Sequence, residues 1–144
     1  MCQIVLKLAA RFIPWFPFQN KRISQKKNQN TKQGLGCCAG IVTAKVRVVT
    51  DTNQEKIEVG EILVAQHTDP GWITLFVNAS GILVERGSLL SHSAIVAREL
   101  GIPAVVSIPG LTKWLKTGDI VEMDGTSGIV RKMLPLQSER NPQK

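Results

Sequence analysis

The chain has 144 residues, 43% of them apolar, and a formal net charge of +7; that length suits one domain able to bury a core without staples. No uninterrupted apolar run reaches the roughly 18 residues needed to cross a bilayer, which excludes a conventional membrane span. The charge is no nucleic-acid signature for a folded domain either, because residues 1–33 hold seven basic and no acidic residues, whereas residues 34–144 hold 11 of each.

In chain order, the start MCQIVLKLAARFIPWFPF, if helical through Ile13, places Gln3, Lys7 and Arg11 on one face and Val5, Ala9 and Phe12 opposite, until Pro14 and Pro17 end it. Organelle targeting or membrane contact through this segment stays open beside an extension without a defined role. The following stretch up to Gln33 is almost free of apolar residues and reads as a disordered linker, since it cannot bury enough surface to offset its chain entropy. Residues 1–33 are thus expected to form a flexible basic extension.

Cys2, Cys37 and Cys38 have no C-x-x-C spacing, and the vicinal pair cannot bridge without strain. They indicate a reduced, cytoplasmic protein. Zinc or another metal site is not expected, because His67 and His92 are the two histidines and neither stands at ligand spacing from a cysteine pair.

From Gly34 onward, short β-rich runs alternate with turn signals. Strands are predicted at 45–49, at 61–65 after Gly60, and at 82–85 after Gly81. Between the last two, Thr68-Asp69-Pro70-Gly71 marks a turn leading into Trp72-Ile73-Thr74-Leu75-Phe76-Val77, a short helix or irregular segment that packs its large side chains on the sheet. A helix is predicted over 92–100, with Ser91 as N-cap, Gly101 as left-handed terminator and Pro103 blocking continuation. A strand over 104–108 then makes a parallel pair with right-handed connection. A second short helix is expected around 111–115, and 120–123 and 129–131 form a hairpin. The sum is a β-rich α/β domain over 34–133, with a loose tail over 134–144.

His92 falls in the first turn of the predicted helix. A neutral imidazole is a competent nucleophile toward phosphorus, and the free N–H groups of a helix start can receive phosphate oxygens. Gly87 would let the loop backbone approach a phosphate, Ser88, Ser91 and Ser93 could donate hydroxyl hydrogen bonds, and Arg86 would add charge. Arg98, six positions on, faces elsewhere and reads with Glu99 as a fold or docking residue. On spacing alone a hydrogen-bonded structural histidine fits His92 as well, and fits His67 better. Ser91 is no hydrolase nucleophile, because the G-x-S-x-G elbow is absent.

The run Gly81-Ile82-Leu83-Val84-Glu85-Arg86-Gly87-Ser88-Leu89-Leu90-Ser91-His92-Ser93-Ala94-Ile95-Val96-Ala97-Arg98-Glu99-Leu100-Gly101-Ile102-Pro103-Ala104-Val105 closely resembles the mobile phosphohistidine domain of phosphoenolpyruvate-utilising enzymes. That group includes phosphoenolpyruvate synthase, pyruvate phosphate dikinase and rifampin phosphotransferase. Gly34 to Val49, Gly60 to Val64, Thr68 to Trp72, Gly118-Asp119 and Asp124 to Gly128 are similar to other parts of it, so the resemblance covers residues 34–133.

The resemblance implies a swivelling β/β/α unit whose histidine, here His92, takes a phosphoryl group derived from ATP or phosphoenolpyruvate. It passes the group to a small-molecule acceptor at a partner domain. Magnesium and ATP are implied at a partner ATP-grasp domain and an acceptor-site domain completes the reaction, supplied in trans or lost from the same chain; this domain binds no cofactor itself. Arg86-Gly87-Ser88 stands where the family commonly has a Gly-Gly pair, and Cys38-Ala39-Gly40 where many relatives have Ser-Pro-Gly, which implies an altered loop backbone. The competing expectation is a docking or regulatory module, or an inactive fragment, that keeps the fold.

Overall fold

The computed structural model describes residues 29–134 apart from residue 54. The amphipathic reading of the first 18 residues and most of the expected tail lie outside the described residues. Eight strands make up one sheet: β1 (Thr31–Gln33), β2 (Leu35–Cys38), β3 (Ile41–Val49), β4 (Ile62–Ala65), β5 (Gly81–Val84), β6 (Ala104–Val106), β7 (Ile120–Asp124) and β8 (Ile129–Met133). A 3-10 turn at Pro70–Trp72 precedes the short helix α1 (Ile73–Phe76); α2 covers His92–Leu100 and α3 covers Leu111–Trp114.

The strand order is β1-β8-β7-β3-β4-β5-β6-β2. β1 and β2 sit at opposite ends of that order yet are joined by Gly34 alone, so the sheet must curl until its ends meet. Gly34 N–H donates to the Gly128 carbonyl at 2.9 Å and Gly125 N–H to the Gly40 carbonyl at 2.8 Å, extending the β1-β8 and β3-β7 ladders by one pair each. β3 belongs to both halves: Ile41 to Lys45 pair antiparallel with β7, and Val46 to Val49 pair parallel with β4. β4, β5 and β6 continue the parallel run, and β2 adds antiparallel to β6.

Alternation along the parallel strands sorts the core into two layers. Ile62, Val64, Leu83 and Val105 face inward to Val121, Met123 and Val130 of the antiparallel half, with Leu111 and Leu115 closing one end. Leu63, Ala65, Ile82, Val84, Ala104 and Val106 face the other way, onto Trp72, Leu75 and Phe76 beside α1 and onto Val96 and Ala97 of α2. Because both faces are covered, these strands are apolar at every position, as parallel strands are. The arrangement is the expected β/β/α architecture, with the β5-α2-β6 crossover and the β7-β8 hairpin in their predicted places.

Several boundaries differ from the reading of the sequence: the strand expected over 104–108 ends at Val106, because Ser107 turns left-handed at φ 59°, and the hairpin strands run on to Asp124 and Met133. The strand expected at 45–49 begins at Ile41, because its first half is a partly exposed antiparallel strand. The sheet begins at Thr31, inside the stretch assigned to the flexible extension: Thr31, Lys32 and Gln33 pair with Arg131, Val130 and Ile129. Backbone hydrogen bonds at an exposed edge hold this polar strand, and such bonds leave no hydrophobic period to read. Two side chains add to it. Trp114 Nε1 donates to the Gln29 carbonyl at 2.8 Å, and the Lys32 ammonium bonds the Pro109 carbonyl and lies 5.7 Å from the centroid of the Trp114 ring.

Candidate functional site

The C-terminal ends of β4, β5 and β6 form the edge where ligands gather in open parallel sheets. The β4-β5 ladder runs on past both strands: Glu85 N–H donates to the Ala65 carbonyl at 2.9 Å and Arg86 N–H to the Gln66 carbonyl at 2.8 Å. His67 and Arg86 are thereby set on this edge, both exposed. The chain then turns through a short loop and enters α2 at His92.

The loop is bonded to itself. Ser88 Oγ accepts from Leu90 N–H at 3.3 Å, and the Ser88 carbonyl accepts both Ser91 N–H at 3.0 Å and Ser91 Oγ at 2.7 Å. Among the described residues other than glycine, only Ser107 has a positive φ, at 59°. Ser88 therefore sits where any residue can, and the loop needs no glycine there. At Gly87 a Cβ would stand 3.4 Å from both Ser91 Oγ and Val106 Cβ, an ordinary contact distance.

Ser91 occupies the N-cap position with extended backbone (φ −68°, ψ 155°), and its carbonyl accepts Ile95 N–H at 3.1 Å. Its side chain, however, does not cap the helix as expected. The hydroxyl turns back to Ser88 and lies 3.1 Å from Ser93 Oγ. Ser93 is buried, 2% exposed, so its hydroxyl braces Ser91 from below. His92, Ser93 and Ala94 have N–H groups without intrahelical acceptors, as any helix start does. The His92 side chain is exposed.

At its far end α2 stops as the sequence predicts: Gly101 adopts φ 68° and Ile102 N–H donates to the Ala97 carbonyl at 2.9 Å. Arg98 reaches away from His92, its Nε donating to the Cys37 carbonyl at 2.9 Å, which ties α2 to β2. Gly87, Ser88, Ser91 and Ser93 are thus joined around the loop that leads into His92, with Arg86 at the loop entrance and the buried Ser93 hydroxyl turned to Ser91. Sequence reasoning missed Glu85, whose carboxylate accepts Thr112 N–H at 2.9 Å and Thr112 Oγ1 at 2.6 Å. Those bonds, the hydroxyl's first, hold the Glu85 carboxyl below the usual carboxylate range. The partners are 27 positions apart, and no local signal joins them.

Among the described residues, no three His, Cys, Asp or Glu side chains converge as a metal site would require. Nor is any described helix long and apolar enough to cross a membrane.

Comparison with known proteins converges on the same segment. Residues 57–128 match the family described as the PEP-utilising enzyme, mobile domain. A rifampicin phosphotransferase of Bacillus cereus is 41% identical over 97 residues, covering 67% of this chain and 11% of the relative. A probable phosphoenolpyruvate synthase of Pyrococcus horikoshii is 46% identical over 101 residues, covering 69% of this chain and 12% of the relative. The chain therefore spans about a ninth of the length of these relatives. In structure, it is similar to the solution structure of an Enzyme I protein, with a TM-score of 0.50 and 34% identity over 56% of this chain and 33% of that one.

Proposed function

The chain belongs to the family of PEP-utilising enzyme mobile domains, and from that membership we propose that it is a phosphoryl carrier in which His92 is the group phosphorylated. The observation that carries this reading is the placement of His92: exposed and first in α2, whose opening N–H groups have no intrahelical acceptor, after a loop that leaves the C-terminal edge of the parallel strands. The lone pair of the neutral ring attacks phosphorus, an N–P bond forms, and the donor's P–O bond breaks with its electron pair leaving on oxygen. In the second half-reaction an acceptor oxygen attacks the same phosphorus and the ring nitrogen leaves.

The residues of this chain hold and present the group. The N–H groups of the first turn offer donors to phosphoryl oxygens, Ser88 and Ser91 belong to the loop that leads into His92, and Arg86 offers positive charge. ATP, or phosphoenolpyruvate, and magnesium belong to an ATP-grasp partner domain, and the acceptor, a small molecule, to another. A cytoplasmic setting supplies both. Alone, the domain is half of a reaction.

The test is intact mass after incubation with Mg-ATP and a separately produced ATP-binding domain of a phosphoenolpyruvate synthase, quenched at alkaline pH. One added phosphoryl group, lost in His92→Ala and kept in His67→Ala, is the expected result. A second reading, a docking module or inactive fragment, draws support from the engagement of the Ser88 and Ser91 hydroxyls within the loop. An unchanged mass, with a known mobile domain phosphorylated in parallel, favours that reading.

A further inference from the structure

The loop that bears His92 leaves the sheet at Glu85, and what Glu85 grips is α3. This short helix closes the end of the space between the two sheet halves through Leu111 and Leu115, both fully buried. Its N-cap residue is Gly110, at φ 65°, which has no side chain with which to cap. The first-turn donors of α3 therefore lack a local acceptor. Glu85 supplies one from another part of the chain, taking both the N–H and the hydroxyl of Thr112.

The segment joining β6 to α3 passes over the end of β5: Ser107 is left-handed at φ 59°, and Ile108 N–H donates to the Val84 carbonyl at 3.4 Å. Gly87 lies beside Val106 on the other side. Glu85 is fixed at its backbone by β4 and at its carboxylate by α3, one residue before Arg86 and two before Gly87. Beyond Gly87, the bonds from Ser91 to the Ser88 carbonyl make the loop a short rigid lever whose far end is His92.

We propose that Glu85 is a positioning residue for phosphoryl transfer: through its two hydrogen bonds to Thr112 it sets the angle at which the loop leaves β5, and hence where His92 meets its phosphoryl donor. It acts through Arg86 and Gly87 and needs no contact with the phosphoryl group. The proposal rests on the carrier reading above. A negative charge that is already tied to Thr112 can sit beside a phosphoryl-bearing loop without being drawn to the loop's own N–H groups.

The experiment follows phosphoryl uptake by the full chain from Mg-ATP and the same ATP-binding domain, with that domain's concentration varied to separate kcat from KM. Glu85→Ala is expected to lower kcat about tenfold with KM held within about twofold, since a reacting group misplaced by a fraction of an ångström loses rate on this scale. Glu85→Gln, whose amide oxygen still accepts from Thr112, should recover most of the rate. Thr112→Val, which keeps the backbone donor, should fall between them, and it serves in place of Glu85→Ala if that variant fails to fold. A merely structural role would lower the melting temperature and leave kcat unchanged below it.

Wild-type uptake accompanied by unchanged kcat in folded Glu85→Ala, or in Thr112→Val where Glu85→Ala does not fold, overturns the proposal alone. A Glu85→Gln variant as slow as Glu85→Ala overturns it too, because charge and not the bonds to Thr112 would then be responsible. A wild-type chain that takes up no phosphoryl group overturns the carrier reading and this proposal with it.

Discussion

Replacing Gly34 by alanine tests how tightly the curled sheet is closed. Gly34 is the single link between strands at the two ends of the sheet order, and its φ lies outside the left-handed region, so the question is one of space. A Cβ there would stand 2.5 Å from the Val106 carbonyl oxygen, 2.6 Å from Ile108 Cγ1 and 2.9 Å from Val105 Cγ1. Non-bonded carbon sits best at about 3.5–4.0 Å, so atoms must move by about 1 Å. Val105 and Ile108 are fully buried and Val106 offers backbone, so none of them yields freely.

Overpacking of this kind costs about 1–3 kcal/mol, and loss of the Gly34 N–H bond to Gly128 adds about 0.5–1.5 kcal/mol. A total near 2–4 kcal/mol corresponds to a fall of about 10–30 °C in melting temperature for a domain of this size. Gly60→Ala and Gly118→Ala are the controls. Both residues have positive φ, 93° and 96°, with open space around the Cβ position, so each should lose only about 1 kcal/mol to backbone strain. Thermal and urea unfolding followed by circular dichroism reads all three. A Gly34→Ala chain that melts no lower than Gly60→Ala would refute the tight closure.

Three further outcomes are expected. Arg47 holds the Glu61 carboxyl below the ordinary range through hydrogen bonds at 2.9 and 3.0 Å, as Thr112 does for Glu85. A folded pKa below the unfolded one gives stability that is present above the unfolded value and lost as pH falls through the folded value. The melting temperature should therefore be level near neutrality and drop through the acid range, less steeply in Glu61→Gln; equal acid limbs in the two chains would count against the pair. Phe76→Ala, at a fully buried position, should cost about 3–5 kcal/mol in urea unfolding, and a loss under about 1 kcal/mol would show that the helix layer can collapse onto the sheet. Burial pushes the Cys37 thiol up despite the nearby Arg98, so in a Cys2→Ser, Cys38→Ser background a maleimide should label it more slowly than free cysteine at neutral pH; an equal rate would contradict that placement.

What could be read from the sequence was what neighbouring residues encode. Ser91, Gly101 and Pro103 delimit α2 to the residue, and the alternation of buried faces follows from strands that are apolar throughout. The polar strand Thr31–Gln33 was not legible, because its bonds run from backbone to backbone across about a hundred residues. The Ser91 side chain was read as a cap because its residue type favours that role; its hydroxyl instead turns back to donate to the Ser88 carbonyl, three residues earlier, and from that direction accepts from no first-turn N–H. Glu85 carried no signal because its partner arrives only when β6 and α3 fold over the end of β5.

On the carrier reading, these particulars bear on one mechanical requirement. A group that travels between two active sites must arrive at each in the same geometry, so motion has to occur outside the domain and not within it. The incoming strand is fastened to α3 by Trp114 and Lys32, and α3 is fastened by Thr112 to Glu85, at the root of the loop bearing His92. The outgoing strand β8 runs beside the incoming one, with Lys132 N–H bonded to the Asn30 carbonyl at 2.7 Å. The first and last strands of the described domain are therefore side by side, and a continuous set of hydrogen bonds runs from them through α3 to the root of the loop bearing His92. A carrier built in this way would turn as one body, with His92 keeping its place on the sheet.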